Sequence, residues 1–258
     1  MKKITEYIKK KSLDKCKIGV VLGSGLDSFC KKIDSPVHIK YNDIPDFRST
    51  SIAGHKGEFV IGELYEKSII CANGRFHYYE GYDYKNVPII IDVFKSLGCE
   101  IVIMTNSSGC VIKEWNVGDL MLINGHLDYS FLKSNDNPDI IRDERYHLNT
   151  LKKVIGCAKS LDINLRQGVY TWTSGPTYET PSEIEDIEAL GGHAVGMSGL
   201  PEIERIHDLG MKMIGLCCLT NYASGITQEQ LTHQEVVSIA KKSQFHFLKL
   251  LDSIIKDI

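Results

Sequence analysis

Proline is scarce in this chain, 7 in 258 residues and scattered. No Ser/Gly-rich stretch, low-complexity tract or repeat of fixed period accompanies it, so nothing marks a linker. One domain over residues 1–258 is therefore the simplest expectation. The eight cysteines form no Cys-x-x-Cys pair, and most sit in apolar runs such as Ser68-Ile69-Ile70-Cys71. That pattern favours reduced, buried thiols in a cytoplasmic protein over a disulfide framework or a zinc site. The histidines are not at zinc-site spacing either, so no metal is expected. No segment is long and apolar enough to span a bilayer. Residues 1–9 are basic but lead into no apolar run, which excludes a secretory signal and leaves no expected membrane partner. The longest basic run is Lys9-Lys10-Lys11, at a formal net charge of −3. It reads as a solvated helix end, and no nucleic-acid partner is expected.

What is present is a core-forming composition, 43% hydrophobic, and strands that alternate with helices. Continuous apolar runs at 17–22 and 100–106 read as buried strands, the second ending in Ser107-Ser108-Gly109. Segments 59–64 and 68–72 read as a hairpin turning at Tyr65-Glu66-Lys67. Shorter strands are expected at 119–123, 168–173, 193–196 and 213–219. Helical patterns cover 86–97, 149–161 and 201–209. Another helix begins with Thr180 as N-cap, Pro181 at the first helical position and Glu183 closing a capping box. The last begins at Thr232, with Glu235 as its box partner, and runs to the C-terminus. This order implies an α/β fold: a central mixed, mostly parallel sheet flanked by helices on both faces. Ser24, Ser107, Glu179, Ser198 and Asn221 all follow strands, and carboxyl ends of strands line the ligand crevice of open α/β sheets.

Several segments carry chemistry. In Gly74-Arg75-Phe76-His77-Tyr78-Tyr79-Glu80-Gly81 an extended backbone would put Arg75, His77 and Tyr79 on one side, a row suited to an anion and hydroxyls. A polar edge strand has the same pattern. Gly23-Ser24-Gly25 offers backbone N–H groups and a hydroxyl to an anion, or is a plain tight turn. It is neither a Walker pattern nor a dinucleotide fingerprint. Arg75 supplies the charge-assisted grip a phosphate requires. In Gly54-His55-Lys56-Gly57, His55 either donates to the same anion or decorates a hairpin entry. Glu179 stands before a helix N-terminus, where the dipole favours a carboxylate; it also suits a ring N–H, with Tyr178 packing on a planar ligand. Met197 is either core or the lining of a sugar or base. Asn221 can pair with a purine edge, since its amide both donates and accepts, or it simply ends a strand. His233 at a helix start is otherwise a surface histidine.

Taken together these segments, with Thr105-Asn106-Ser107-Ser108-Gly109, Gly196-Met197-Ser198 and Thr220-Asn221-Tyr222, follow one order. The chain resembles the trimeric purine nucleoside phosphorylases, the group that includes methylthioadenosine phosphorylase, over roughly residues 15–250. The resemblance implies the nucleoside phosphorylase fold. It also implies reversible phosphorolysis of purine nucleosides to free base and pentose 1-phosphate, with inorganic phosphate as co-substrate and no cofactor. By similarity Ser24, His55, Arg75, His77, Ser107 and Ser198 surround phosphate. Tyr79 and Met197 contact the ribose and His233 its 5′-hydroxyl. Tyr178, Glu179, Val195, Thr220 and Asn221 form the base site. His77, Glu179 and Asn221 carry the catalytic roles. Family members are homotrimers whose neighbouring subunit closes each site with an aromatic ring, and Tyr146 matches that ring. Asparagine at 221 resembles the members that use inosine, guanosine and their deoxy forms; aspartate there goes with 6-aminopurines. The chain departs from the family at Ser107 and Ser108 (usually alanine), at Cys110 (usually glycine), at Tyr178 (commonly phenylalanine) and across 126–147, which is shortened.

Overall fold

The computed structural model describes residues 1–23, 25–48, 56–133, 138–227 and 233–258, with the backbone alone over 233–242. The strands are β1 (Ile18–Leu22), β2 (Asp34–Lys40), β3 (Glu58–Leu64), β4 (Lys67–Asn73), β5 (Ile101–Cys110), β6 (Leu120–Asp128), β7 (Leu165–Trp172), β8 (Ala194–Gly196) and β9 (Lys212–Tyr222). The helices are α1 (Lys2–Lys11), α2 (Ile89–Ser96), α3 (Leu148–Ser160), α4 (Pro181–Ala189), α5 (Leu200–Asp208) and α6 (His233–Asp257). The chain divides into two compact units, Met1–Thr105 with Pro201–Ile214, and Asn106–Leu200 with Gly215–Ile258.

In the first unit β1 is the central strand, parallel to both β4 and β5 and buried at every position. That explains its unbroken apolar sequence, since a strand covered on both faces has no polar side to present. Gly19 is required there. A Cβ at this position would lie 2.3 Å from the Phe94 ring, so the missing side chain lets α2 pack flat on the strand. β3 and β4 form the expected hairpin, antiparallel through the turn at 65–66. β2 was not expected from sequence. It is an edge strand antiparallel to β3, mostly exposed, with Pro36 and a register shift between Asp34 and Val37. Such an edge buries too few apolar groups to show a period, and proline is tolerated where no partner needs its N–H.

In the second unit β6 and β7 are parallel, β7 and β8 parallel, β5 and β8 antiparallel, and β6 and β9 antiparallel. The sheet is thus mixed, with antiparallel contacts more prominent than strand–helix alternation suggested. β5 is longer than its apolar run. It continues through Ser107-Ser108-Gly109, expected as a loop, because Gly109 and Cys110 pair with Val195 and Ala194. α4 starts as the sequence indicated. Thr180 Oγ1 accepts from Glu183 N at 3.3 Å, and the Glu183 carboxylate accepts from Thr180 N at 2.7 Å. The Thr232 cap lies outside the described residues, as does any contact of Glu235. All eight cysteines are free and buried, as expected. Burial pushes Cys16 up to about 12 and Cys110 and Cys218 to about 11, so these thiols stay protonated.

Candidate active site

The first unit gathers polar residues at the carboxyl ends of β1 and β4, beside Thr105 in the middle of β5. The 74–81 segment is not an extended row. Tyr78–Glu80 is a 3-10 turn, closed because the Glu80 carboxylate accepts the His77 backbone N–H at 2.7 Å and sits 3.4 Å from His77 Nδ1. Simple alternation therefore fails after His77. The turn nevertheless stacks the Tyr79 ring on His77, centroids 4.9 Å apart and planes 23° apart. Arg75 leaves this pair and is buried, 2% exposed. Its Nη2 donates to the Thr105 carbonyl at 2.5 Å and the Val21 carbonyl at 3.4 Å. Thr105 Oγ1 also donates to Val21 O at 2.9 Å and accepts from Gly23 N at 2.8 Å. One threonine thus ties the guanidinium to the start of the Gly23 turn. Ser24, the next residue, lies outside the described residues, as does His55.

Glu202, unnoticed in sequence, is buried 3.9 Å from Arg75 Nε. It sits in the first turn of α5, which is held by Arg205 on Asp92 at 2.6 Å and by Tyr84 on Glu204 at 2.7 Å. Nothing in the local sequence distinguishes buried Glu202 from half-buried Glu204 two residues on. Tyr41 is another residue sequence reasoning missed: its hydroxyl donates to Gly74 O at 2.9 Å and fixes where the segment starts.

The second unit builds its polar cluster on an apolar base. Val111, Ile184, Ile187, Val195 and Ala223 form one buried group, which clamps α4 to the sheet. Ala223 N donates to Cys110 O at 2.8 Å and Thr173 N to Gly196 O at 3.1 Å. Glu179 stands two residues before α4 and Asn221 two residues before Ala223, so the group ties together the segments that bear them. The Glu179 carboxylate accepts from Thr173 Oγ1 at 2.6 Å. Asn221 is oriented at both ends: Thr220 Oγ1 donates to Oδ1 at 3.1 Å, and Nδ2 donates to Tyr222 O at 2.8 Å. Both side chains are half-buried. One offers acceptors, the other a donor and an acceptor, which is a set that suits the edge of a nitrogen heterocycle.

A family model described as Phosphorylase superfamily matches residues 17–256. Purine nucleoside phosphorylase 1 of Bacillus subtilis (strain 168) is 39% identical over 259 residues, covering 96% of this chain and 95% of the relative. The chain belongs to the purine nucleoside phosphorylase family. The rat purine nucleoside phosphorylase is 31% identical over 251 residues, covering 92% of this chain and 87% of its own. Among solved structures, the Schistosoma mansoni purine nucleoside phosphorylase in complex with adenosine matches with a TM-score of 0.89 at 27% identity, covering 100% of this chain and 96% of that one. Membership makes the protein an enzyme of the pentosyltransferase class.

Within this purine nucleoside phosphorylase fold, the other expected residues fall as follows. Ser107 is exposed on β5, and Met197 and Ser198 are half-buried just after β8. Tyr170 holds that bend by donating its hydroxyl to the Ser198 carbonyl. Ser108, a departure from the family pattern, is buried with its hydroxyl unpartnered among the described residues, as is the Asn106 amide. His233 begins α6, and its side chain lies outside the described residues. Three further expected residues differ sharply in exposure. Val195 is a member of the apolar group and 3% exposed. Tyr178 is 81% exposed, so its extra hydroxyl is met by solvent and its ring is open on the surface. Tyr146 does not project outward: it is buried in its own unit, hydroxyl 2.7 Å from His126 Nδ1. Burial drives that hydroxyl far above the usual phenol range. A free aromatic at 146 would leave buried His126 without its partner, which is the physical reason for the inward rotamer.

Proposed function

We propose that the chain catalyses reversible phosphorolysis of 6-oxopurine nucleosides, inosine, guanosine and their deoxy forms, to free base and pentose 1-phosphate. The observation that carries this is that Glu179 and Asn221, each oriented by its own hydrogen bonds, are borne by segments that meet in one apolar group. A carboxylate accepts the ring N–H that a 6-oxopurine has and a 6-aminopurine lacks. The Asn221 amide donates to the ring nitrogen that gains charge as the glycosidic bond breaks. Bond breaking builds positive charge on the sugar and negative charge on the base, so groups that favour those charges lower the barrier. Arg75, His77, Ser24, His55, Ser107 and Ser198 hold inorganic phosphate, the nucleophile and counter-charge, which removes its orientation entropy before reaction. Tyr79, Met197, Thr220 and His233 contact the nucleoside. The reaction invokes no cofactor. Assembly as a homotrimer in the cytoplasm is part of the same reading.

The family members named above support the reading, and one of their neighbours was solved with inosine. The test is inosine cleavage with and without phosphate, with detection of ribose 1-phosphate. Base released only with phosphate supports phosphorolysis. Equal release without phosphate means hydrolysis, and binding without turnover means a silent nucleoside-binding protein.

A further inference from the structure

Gly225 stands four residues after Asn221 and takes a left-handed φ of 83°. A Cβ there would lie 2.7 Å from Pro181 Cβ and 3.3 Å from Pro181 Cα. Pro181 is the first residue of α4, two residues after Glu179. The loop that follows Asn221 therefore meets the helix that follows Glu179 at a point where no side chain fits. The rest of that loop is pinned. Tyr222 donates its hydroxyl to Trp115 O at 2.9 Å, Ala223 N donates to Cys110 O at 2.8 Å, and Ile226 N closes a turn on Ala223 O at 3.3 Å. Ala223 and Ile226 also pack with Ile184 and Ile187 of α4. With so many anchors, pressure at Gly225 cannot dissipate by the loop swinging free. It is passed to the separation between the two strand-and-helix ends.

We infer that Gly225 is a positioning residue that sets the distance between the Asn221 amide and the Glu179 carboxylate, and thereby the affinity for the purine base. The inference rests on the proposed base-recognition roles of those two side chains. Ordinary contact begins at 3.4–4 Å, so a methyl at 225 must move loop and helix apart. The shift is on the order of 1 Å, a displacement that can cost about 10²-fold when it reaches reacting or recognition groups.

The experiment compares Gly225→Ala and Gly225→Asn with the parent chain. Asparagine tolerates a left-handed backbone better than alanine, so agreement between the two assigns the effect to the Cβ and not to backbone strain. Hypoxanthine binding is measured by calorimetry at saturating phosphate, alongside the KM values for inosine and phosphate. Both variants are expected to weaken hypoxanthine at least about tenfold and to leave the phosphate KM within about twofold. Adding Pro181→Gly to Gly225→Ala, which deletes the opposing Cβ, should recover most of the loss. Hypoxanthine affinity within twofold of the parent, an equal loss for phosphate, or no recovery in the double variant overturns the inference. If the position-225 variants fail to fold, Pro181→Gly alone decides: it loosens the same spacing, and unchanged hypoxanthine affinity refutes the claim. Asn221→Ala is run in parallel. If it leaves hypoxanthine binding intact, the base-site reading itself fails; if it weakens binding while the Gly225 variants do not, only the positioning role fails.

Discussion

Lowering the pH should destabilise this protein through one histidine. His126 lies on β6, 1% exposed, and exchanges backbone hydrogen bonds with Ile141 at 3.0 and 2.9 Å. Its ring meets the Tyr146 hydroxyl. Burial first, then the Arg145 charge, lowers its pKa to about 4; Lys133 acts the same way, and Asp143 and Asp128 oppose it. The unfolded chain has an ordinary imidazole near 6.5, so it takes up its proton first as pH falls. Stability is therefore full above about pH 6.5 and is lost down to about pH 4. At 1.36 kcal/mol per unit, the loss is about 3 kcal/mol, or roughly 6–12 °C in Tm for a chain of this size. The assay is urea unfolding at pH 7.5, 5.5 and 4.5 for the parent and for His126→Gln, which keeps a hydrogen-bonding side chain opposite Tyr146. Other groups titrate in this window, His193 among them, its pKa also lowered by burial and by Arg142. They contribute to both proteins and cancel in the comparison. The parent should lose about 2.5 kcal/mol more than the variant between pH 7.5 and 4.5. Parallel pH slopes would refute the reasoning.

Asn221→Asp should raise the adenosine-to-inosine rate ratio, because a carboxylate replaces the amide donor; initial rates on both substrates check it, and an unchanged ratio removes Asn221 from base reading. Arg75→Lys keeps the charge but loses the Nη2 group that donates to the Thr105 and Val21 carbonyls and fixes the guanidinium plane, so the phosphate KM should rise at least about tenfold with the inosine KM little changed. Steady-state kinetics with each substrate varied decide it, and a normal phosphate KM rules out an anion role. Thr173→Val deletes the hydroxyl on the Glu179 carboxylate, a contact worth about 1.5–3 kcal/mol. Hypoxanthine affinity should fall while phosphate kinetics hold; loss in both would mean only general disruption. Thr180→Ala removes the α4 N-cap and should cost about 1 kcal/mol in denaturant unfolding, with no cost meaning that the cap is redundant.

Much of the architecture was readable because the relevant forces are local. β1 and the hairpin of β3 and β4 announce themselves by apolar runs and a short turn, and α4 by a proline and two capping side chains that satisfy its free N–H groups. Edge strand β2 was invisible, since its residues are specified by a neighbour rather than by burial. β5 outran its apolar stretch for the same reason: Gly109 and Cys110 are strand because β8 lies beside them.

The site divides along the same line. Side-chain chemistry alone nominated Arg75, His77, Glu179 and Asn221, since charge, titration and amide geometry travel with residue identity. Orientation did not. Val195 and Tyr146 turned inward because apolar packing and a buried histidine outweigh exposure, while Tyr178 kept its ring open on the surface. Glu202 became visible only when α5 met Arg75, and Thr173 only when the connection after β7 folded Glu179 back onto it. The composition and order of the residues thus determined which functional groups this protein owns and which strands and helices carry them. Only tertiary structure decided where those groups point, because direction is set by partners remote in the chain, and a linear sequence does not record which partners will touch.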